Sequence, residues 1–230
     1  FLIIYLRKDM ESGGSTEVVL FSYWRSSCTY RVRCALNLKG IQYEYKAVNL
    51  VKDGGEQKSE DFLKKNPQGF VPALFIDGYT LCESLPILEY IEENHAGDAQ
   101  LYPTDPFLKF RCRQICEIIN SGIQPLQNLS VLKKIKADFD NDPTEWSKFF
   151  ITKGLKSVEA VLVDTKGKYC IGDEVTAADC FLAPQVYNAL RFEIDMTQFP
   201  LISEVLKNLE EVQAFKDAHP SVQPDAPKES

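Results

Sequence analysis

The sequence lacks the features that mark membrane-spanning, metal-binding and nucleic-acid-binding proteins. The apolar run at residues 1–6 is far shorter than the roughly 20 residues that span a bilayer. Basic residues follow this run, whereas a secretory signal carries them in front of it. The only histidines are His95 and His219, and no two cysteines have the C-x-x-C spacing, so a metal site is poorly supported. The net charge of −7 argues against general nucleic-acid binding, which needs clustered Lys and Arg.

The seven cysteines are an odd number, and most of them stand among apolar residues. Four of them fall within predicted helices, namely Cys34, Cys112, Cys116 and Cys180. We interpret these four as reduced thiols that pack as small hydrophobic side chains. Together with the absent signal and membrane segments, this predicts a cytoplasmic protein that binds neither nucleic acid nor membrane.

The length of 230 residues fits two small domains that share an interface. The chain has no initiator Met, and we expect residues 1–9 to lie upstream of a natural start at Met10. Residues 13–15, Gly-Gly-Ser, indicate a flexible joint before the first strand. We therefore predict that the leader, residues 1–16, is dispensable for folding and function.

A strand–helix–strand unit follows the leader. Residues 17–23 are apolar and rich in β-formers, which is typical of a buried strand. A helix runs through residues 31–39 and stops at Gly40, a residue that commonly ends helices. Residues 43–48 alternate between two faces and predict the second strand. Such a unit within about 30 residues is a βαβ motif.

A short helix near residues 61–65 and a β-hairpin extend this unit. The Asp-Gly pair at residues 77–78 joins the two strands of the hairpin. Pro72 opens the first of these strands, so it must lie in an edge strand or carry a special peptide bond. Ser84 is predicted to cap a following helix. The order over residues 17–94 is β-α-β-α-β-β-α, a thioredoxin-like α/β domain.

The second half of the chain is predicted to be all-helical. Residues 95–105 indicate a linker, and apolar residues at helical spacing then recur through residues 106–219. Thr176 and Asp179 have the spacing of a capping box and predict the start of a helix. The Pro-containing stretch at residues 220–230 is interpreted as a tail.

Ser26, Ser27 and Cys28 stand where the first helix begins. Backbone N–H groups at a helix start are unpaired and face the positive end of the helix dipole, so a thiolate is stabilised there. A thioredoxin-type dithiol would need a second cysteine at position 31, where this chain has Arg31. The residues therefore suit a thiolate from another molecule or one formed at Cys28, although a plain helix cap explains them equally well.

Two further positions complete a pattern. A proline at position 72 leaves the N–H and C=O of Val71 free to pair with an extended peptide, unless Pro72 merely breaks an edge strand. At another helix start, Ser84 and its neighbouring N–H groups would bind a carboxylate and Glu83 an ammonium group, although this is also a good N-cap. Taken together, these sites match a small peptide with a thiol at one end and an amino acid at the other. Glutathione has that shape.

Several stretches of the chain resemble zeta-class glutathione transferases, also known as maleylacetoacetate isomerases, over roughly residues 18–224. The most specific stretches are SSCTYRVR at residues 26–33 and GIQPLQNLSVL at residues 122–132. Further matching stretches are residues 49–55, 66–67, 71–72, 169–176, 184–185 and 191–192. At positions 83 and 84 the family usually has Gln-Ser, whereas this chain has Glu83 and Ser84. Other transferase classes also have Glu-Ser there, so glutathione binding remains expected.

The resemblance implies a glutathione transferase fold, a homodimer and a set of functional residues. The implied glutathione-binding positions are Ser26, Ser27, Cys28, Thr29, Tyr30, Arg31, Gln57, Val71, Glu83, Ser84, Gln124, Asn128, Leu129 and Ser130. The catalytic positions would be Ser26, Ser27 and Cys28, with Ser26 donating a hydrogen bond to the glutathione thiolate. Arg191 is implied for a substrate carboxylate, with Arg25 as a weaker second, although a lone Arg at that position is more often a surface residue.

The implied reaction is the glutathione-dependent cis–trans isomerisation of maleylacetoacetate to fumarylacetoacetate in tyrosine and phenylalanine breakdown. Transfer of glutathione to small electrophiles such as α-haloacids accompanies it, and the partners would be glutathione and a small anionic electrophile. Two alternatives stay open. Cys28 could form a mixed disulfide, as in an omega-type or dehydroascorbate-reductase-like oxidoreductase, or the fold could serve as a catalytically silent binding module.

Overall fold

The computed structural model describes residues 17–97, 99–140 and 142–227. The prediction that residues 1–16 are dispensable, and the last three residues of the predicted tail, lie outside this range. The described strands are β1 (Val19–Ser22), β2 (Glu44–Ala47), β3 (Ala73–Ile76) and β4 (Tyr79–Cys82). The described α-helices are α1 (Ser27–Leu38), α2 (Glu60–Leu63), α3 (Ser84–Asn94), α4 (Pro106–Gly122), α5 (Leu129–Phe139), α6 (Pro143–Thr165), α7 (Ala177–Arg191), α8 (Pro200–Leu209) and α9 (Gln213–Ala218).

The four strands form one mixed sheet in the order β2-β1-β3-β4. β1 pairs with β2 in parallel, with Val19 opposite Glu44, and with β3 antiparallel. β3 and β4 are antiparallel neighbours joined by the predicted two-residue turn. The predicted order β-α-β-α-β-β-α and the thioredoxin-like architecture are confirmed, and β1 and β2 are each shorter than predicted by one to two residues at either end.

Helices cover both faces of the sheet. On one face, Leu20 and Leu74 pack with α1 and α3 in the main core, which continues without interruption into the helical domain. On the other face, Phe62 of α2 packs with Val48 and Val71 in a smaller cluster. The main core therefore joins the two halves of the chain through the side of the sheet that carries α1.

α1 is buried on almost every side because the sheet and α3 lie against it on one side and α7 and α9 on the other. Its buried residues include two arginines, Arg31 and Arg33, which are both fully inaccessible to solvent. A buried guanidinium group is costly unless the protein supplies acceptors for its N–H groups. The contacts of these two side chains are therefore central to the site described below.

Two local predictions need correction. β3 lies between β1 and β4, so Pro72 does not belong to an edge strand; the special-peptide interpretation holds, because the Val71–Pro72 bond is cis. Ser84 does not cap α3. Glu83 takes the N-cap position with φ +69°, a left-handed conformation that residues other than glycine rarely adopt, and Ser84 is the first helical residue.

The segments at the edges of the predicted helical domain pack against the rest of the protein. Between α3 and α4, Leu101 and Tyr102 are buried, and the Leu101 carbonyl accepts a hydrogen bond of 2.7 Å from the N–H of Ala177. Beyond α9, Pro220 and Gln223 are buried. The predicted tail is therefore part of the fold as far as Ala226.

The helical domain follows the apolar pattern of its sequence. Asp179 accepts hydrogen bonds from the N–H and hydroxyl of Thr176 at 2.8 and 3.0 Å, which confirms the predicted capping box at the start of α7. The four cysteines predicted as buried reduced thiols are all fully inaccessible and unpaired, as predicted. Of the described helices, none is both long and apolar enough to cross a bilayer.

Candidate active site

The turn between β1 and α1 places Ser26 at the start of α1. The turn closes with a hydrogen bond of 2.9 Å from the N–H of Ser26 to the Tyr23 carbonyl. The Ser26 hydroxyl then caps the helix by accepting the N–H of Thr29 at 3.3 Å. Within the described chain, the N–H groups of Ser27 and Cys28 have no acceptor. These free donors at the positive end of α1 form a site suited to an anion.

Arg31, one turn further along α1, joins three parts of the molecule. One of its terminal nitrogens, Nη1, donates to the Ser84 hydroxyl at 3.0 Å and to the Asn120 side-chain carbonyl at 2.8 Å. Its guanidinium also lies 4.1 Å from the centre of the Phe181 ring, a cation–π contact. The side chain thus ties α1 to the start of α3, to α4 and to α7.

The guanidinium of Arg31 also adds positive charge beneath the site. Burial lowers the pKa of Arg31, and negative charge at Cys28, Cys116 or Glu83 would raise it. Cys28 lies one turn before Arg31 on α1, and Glu83 directly precedes Ser84, which Arg31 contacts. The Nε and Nη2 of Arg31 have no hydrogen-bond partner among the described residues. The starts of α1 and α3 are thereby brought together around one buried positive charge.

Two of the other predicted positions present unpaired polar groups. Val71 is buried, and its main-chain N–H and C=O make no hydrogen bond to another described residue. Gln57 lies in the loop after β2, where its amide nitrogen donates to the Leu50 carbonyl at 3.5 Å. The side-chain oxygen of Gln57 is buried without a partner in the described structure. These groups are able to pair with an extended peptide, as the sequence predicts for Val71.

The positive charges of Arg25 and Arg191 influence each other. Arg191 is the last residue of α7, and its Nη1 donates to the Asn188 side-chain oxygen at 3.1 Å. Burial lowers the pKa of Arg191, and the positive charge of Arg25 lowers it further. Two like charges held near each other repel unless an anion lies between them, so the pair favours a ligand with carboxylate groups.

For six other predicted site residues the described contacts are with neighbouring parts of the fold, and their role in glutathione binding stays a prediction. Thr29 and Tyr30 are buried; the Thr29 hydroxyl donates to the Tyr23 and Ser26 carbonyls, and the Tyr30 ring packs on His219. The other four lie at the junction of α4 and α5, namely Gln124, Asn128, Leu129 and Ser130. There Asn128 caps α5 by accepting from the N–H and hydroxyl of Ser130. The hydrogen bonds of these four residues stay within the helical domain.

Sequence reasoning missed two residues that shape the site. Asn120, in the last turn of α4, accepts from Arg31. Arg33 is fully buried and donates to the Trp24 carbonyl in the turn before Ser26, at 3.2 Å. The sequence did contain a signal for Arg33. In RVRCAL, residues 31–36, this charged residue stands among apolar residues of a predicted helix.

Comparison with known proteins agrees with this geometry. Residues 20–99 match the glutathione S-transferase N-terminal domain family and residues 130–222 the C-terminal domain family. The chain is 51% identical to rat maleylacetoacetate isomerase over 211 residues, covering 92% of this chain and 96% of the relative. It is 42% identical to a zeta-class glutathione S-transferase of Euphorbia esula over 220 residues, covering 95% and 96%.

A solved structure gives the same relationship in three dimensions. Maleylacetoacetate isomerase from Anaeromyxobacter dehalogenans 2CP-1 superposes with a TM-score of 0.83 at 39% identity, covering 93% of this chain and 99% of that one. That crystal contains dicarboxyethyl glutathione and citrate in its active site. The family matches span most of the chain, and the sheet, the helices and the sequence similarity all agree. The chain belongs to the zeta class of the glutathione S-transferase family, which includes the maleylacetoacetate isomerases.

Proposed function

We propose that this enzyme uses glutathione to convert maleylacetoacetate to fumarylacetoacetate, a step in the breakdown of tyrosine and phenylalanine. One observation carries the proposal: a hydroxyl at the free start of α1, Ser26, stands in the same turn as Arg25, whose positive charge lowers the pKa of Arg191. A thiolate site and a pair of arginines are what a thiol-dependent reaction on a dicarboxylate requires. The names of the relatives point to the same reaction.

The unpaired groups of the described site fit glutathione. The free N–H and C=O of Val71 suit its peptide backbone, because an extended peptide pairs with such groups as an added strand. The start of α3, at Glu83 and Ser84, suits the amino-acid end, whose carboxylate is favoured at a helix N-terminus. The side-chain oxygen of Gln57, which has no partner among the described residues, is a further hydrogen-bond acceptor for the peptide.

Bound glutathione would supply a thiolate that adds to the cis double bond, permits rotation about the resulting single bond and leaves again. The protein's part is to hold and stabilise charge. Ser26 donates its hydroxyl hydrogen to the sulfur, and the N–H groups of Ser27 and Cys28 supply a positive field. Arg31 adds a buried positive charge beneath them. Cys28, which is half-buried, adjusts this environment.

The two arginines hold the other reactant. The planar guanidinium of Arg191 forms paired hydrogen bonds with a carboxylate, and Arg25 takes the second carboxylate of the substrate. This local positive charge lets a protein of net charge −7 bind a dianion. The adduct named in the bacterial crystal, a dicarboxyethyl glutathione, supports a site that takes a thiol and two carboxylates side by side.

The test is the isomerisation of maleylacetone, a close analogue of the substrate, with and without glutathione. We expect turnover only with glutathione, and retention of the protein on glutathione-agarose. Retention without turnover would support a silent binding module instead. Turnover of dehydroascorbate at the expense of glutathione, lost in Cys28→Ser, would support the oxidoreductase. The comparisons favour neither alternative.

The same site supports glutathione transfer to small electrophiles such as α-haloacids. A carboxylate held by Arg191 would present the neighbouring halogen-bearing carbon to the thiolate. We expect glutathione-dependent release of chloride from chloroacetate, measured with a chloride electrode. Release from an uncharged alkyl chloride at the same rate would show that the carboxylate is not recognised.

We also propose that the protein is a homodimer. On α4, Phe107 and Phe110 are 60% and 56% exposed, and their rings stack with centres 6.3 Å apart. An exposed aromatic pair of this kind is typical of a protein interface. In analytical ultracentrifugation, we expect Phe110→Glu to sediment as a monomer. The matched change on α5, Phe139→Glu, should leave the dimer intact, since Phe139 is 69% exposed but pairs with no other aromatic ring of the described residues.

A cytoplasmic location is proposed from the cysteines. All seven are unpaired, which suits a compartment that keeps thiols reduced. Subcellular fractionation checks this, and recovery in a secreted or organellar fraction would contradict it.

A further inference from the structure

The C-terminal segment after α9 lies against the turn that carries Arg25 and Ser26. The carboxylate of Asp225 accepts a hydrogen bond of 3.0 Å from the main-chain N–H of Trp24. Its other oxygen accepts the hydroxyl of Tyr45, on β2, at 2.6 Å. Trp24 stands one residue before Arg25 and two before Ser26. A residue 201 positions further along the chain therefore holds the turn at the site.

A carboxylate is a strong choice of partner for this N–H. Trp24 occupies a turn that ends in the hydrogen bond from Ser26 to Tyr23, and within the described chain its N–H has no other acceptor. A hydrogen bond to an ionised acceptor is roughly twice as strong as a neutral one. Burial, and the hydrogen bond to Asp225, raise the pKa of Tyr45, so Tyr45 remains a donor at neutral pH.

A second connection reaches the same turn from the last residue of α9, Ala218. Arg33 donates from Nε to the Ala218 carbonyl at 2.9 Å and from Nη2 to the Trp24 carbonyl at 3.2 Å. The N–H and the C=O of Trp24 are thus both held, one by Asp225 and the other through Arg33. Because Arg33 is fully buried and donates to both carbonyls, it links the end of α9 directly to the turn.

The segment itself is well fixed. The side-chain amide of Gln223 donates to the carbonyls of Asp217 and His219, both at 2.9 Å. Pro220 and Gln223 are buried, and the N–H of Ala226 donates to the Gln223 carbonyl at 3.0 Å. Asp225 therefore projects from an ordered support, which a residue must have if it is to set the position of another.

We propose that Asp225 is a positioning residue for the reaction. It fixes the Trp24 turn so that the Ser26 hydroxyl is held at the glutathione thiolate and the Arg25 guanidinium at the substrate carboxylate. The proposal rests on the proposed function for its effect on rate. Its physical reason is that displacement of a reacting group by about 1 Å can cost on the order of a hundredfold in rate.

The test compares Asp225→Asn with Asp217→Asn. The control makes the same chemical change near the end of α9, where the side chain of Asp217, among the described residues, hydrogen-bonds only to Gln213 one turn away. For Asp225→Asn we expect a roughly fivefold or larger fall in kcat for maleylacetone, with a small change in KM. The ultraviolet absorption of the bound thiolate should appear at higher pH than in the wild type, because Ser26 is displaced. Asp225→Glu should restore part of the kcat and part of the shift in the thiolate titration.

A ligand-free measurement separates this proposal from the proposed function. Hydrogen exchange of a peptide covering residues 23–29 should quicken in Asp225→Asn and stay unchanged in Asp217→Asn, whether or not the chain isomerises anything. If the wild type showed no isomerase activity, the proposed function would be wrong. Hydrogen exchange and the titration of the bound thiolate would still test whether Asp225 positions the turn. Equal exchange in the two variants would overturn the positioning role. So would a lower melting temperature in Asp225→Asn with an unshifted thiolate titration, since that marks a merely structural contact.

Discussion

Arg31 and Ser84 are joined by a hydrogen bond of 3.0 Å, although 53 positions separate them along the chain. The bond places the start of α3 beside α1, so the two helix starts of the candidate site have a fixed spacing. The same guanidinium nitrogen contacts Asn120 of the helical domain at 2.8 Å. The geometry of the glutathione site in the first domain therefore depends on a residue of the second.

The first prediction concerns Asn120→Ala. Removing its side-chain oxygen leaves a buried guanidinium with one acceptor fewer, and a hydrogen bond to a charged group contributes about 1.5–3 kcal/mol. We expect the free energy of unfolding in urea to fall by about that amount and glutathione affinity to weaken. Asn94→Ala is the control, since among the described residues the Asn94 side chain makes only an exposed bond to the Tyr90 carbonyl of its own helix. Equal losses in the two variants would contradict the prediction.

The second prediction concerns Ser26→Ala. We expect the isomerisation rate at saturating glutathione to fall at least roughly tenfold, about 1.4 kcal/mol of barrier, because the thiolate loses a hydrogen-bond donor. The change also removes a helix cap. Ser59→Ala controls for that, since the Ser59 hydroxyl caps α2 by accepting an N–H at the same 3.3 Å. If Ser26→Ala retained the wild-type rate, Ser26 would have no catalytic role.

The third prediction concerns Cys28→Ala. We expect measurable isomerase activity to persist while glutathione affinity changes, because glutathione supplies the thiolate and Cys28 only lies next to it. Isothermal titration with glutathione and the maleylacetone assay give the two quantities. Complete loss of turnover with intact glutathione binding would favour Cys28 as the nucleophile.

The architecture of the first domain could be predicted because its signals are local. The Asp-Gly pair at residues 77–78 specified the hairpin, and Gly40, with φ +67°, marked the end of α1. The error at Ser84 was also local. A serine before an apolar run usually caps a helix, but here Glu83 adopts the left-handed conformation at the cap and leaves the Ser84 hydroxyl to Arg31.

The contacts that assemble the site could not be predicted, because they join residues far apart in the sequence. Arg33 reaches Ala218 across 185 positions, and Asp225 reaches Trp24 across 201. A proline-containing C-terminus has the composition of a tail, and nothing in its own sequence shows that a buried arginine will hold it. Only the packing of α9 against α1 brings the two together.

The fourth prediction concerns pH and His219. Burial lowers the pKa of His219, and the charge of Arg33 lowers it further. Above pH about 6.5, the ordinary value, the side chain is neutral in both the folded and the unfolded chain. As the pH falls below that value, the unfolded chain binds the proton first, so stability is lost. We therefore expect His219→Asn to destabilise the protein less at pH about 5 than at pH about 7.5.

Urea unfolding of both proteins at the two pH values measures this difference. Asn suits the test because its side-chain oxygen can replace Nδ1 of His219, which accepts the N–H of Ser221. Protonation of carboxylates affects both proteins alike and cancels in the comparison. A destabilisation that is the same at both pH values would show that His219 takes up its proton equally in the folded and unfolded chains.

The last prediction concerns Arg191. We expect Arg191→Ala to raise the KM for the dicarboxylate substrate roughly tenfold or more, matching a charged hydrogen bond of about 1.5–3 kcal/mol. Glutathione affinity should stay nearly unchanged, since the glutathione groups lie around α1 and α3. Arg191→Lys should recover only part of the loss, because an ammonium group keeps the charge but not the paired geometry.

Arg191 is also the basic residue in the last turn of α7, where a positive charge stabilises the helix end. Lys207→Ala controls for that effect, since Lys207 is the basic residue in the last turn of α8. We expect the control to leave the KM unchanged. Because two positive charges attract the dicarboxylate in the wild type and only one does in Arg191→Ala, added salt should weaken binding more in the wild type. Unchanged kinetics toward the dicarboxylate would exclude Arg191 from the site, and an equal loss with an uncharged electrophile would indicate damage to the fold.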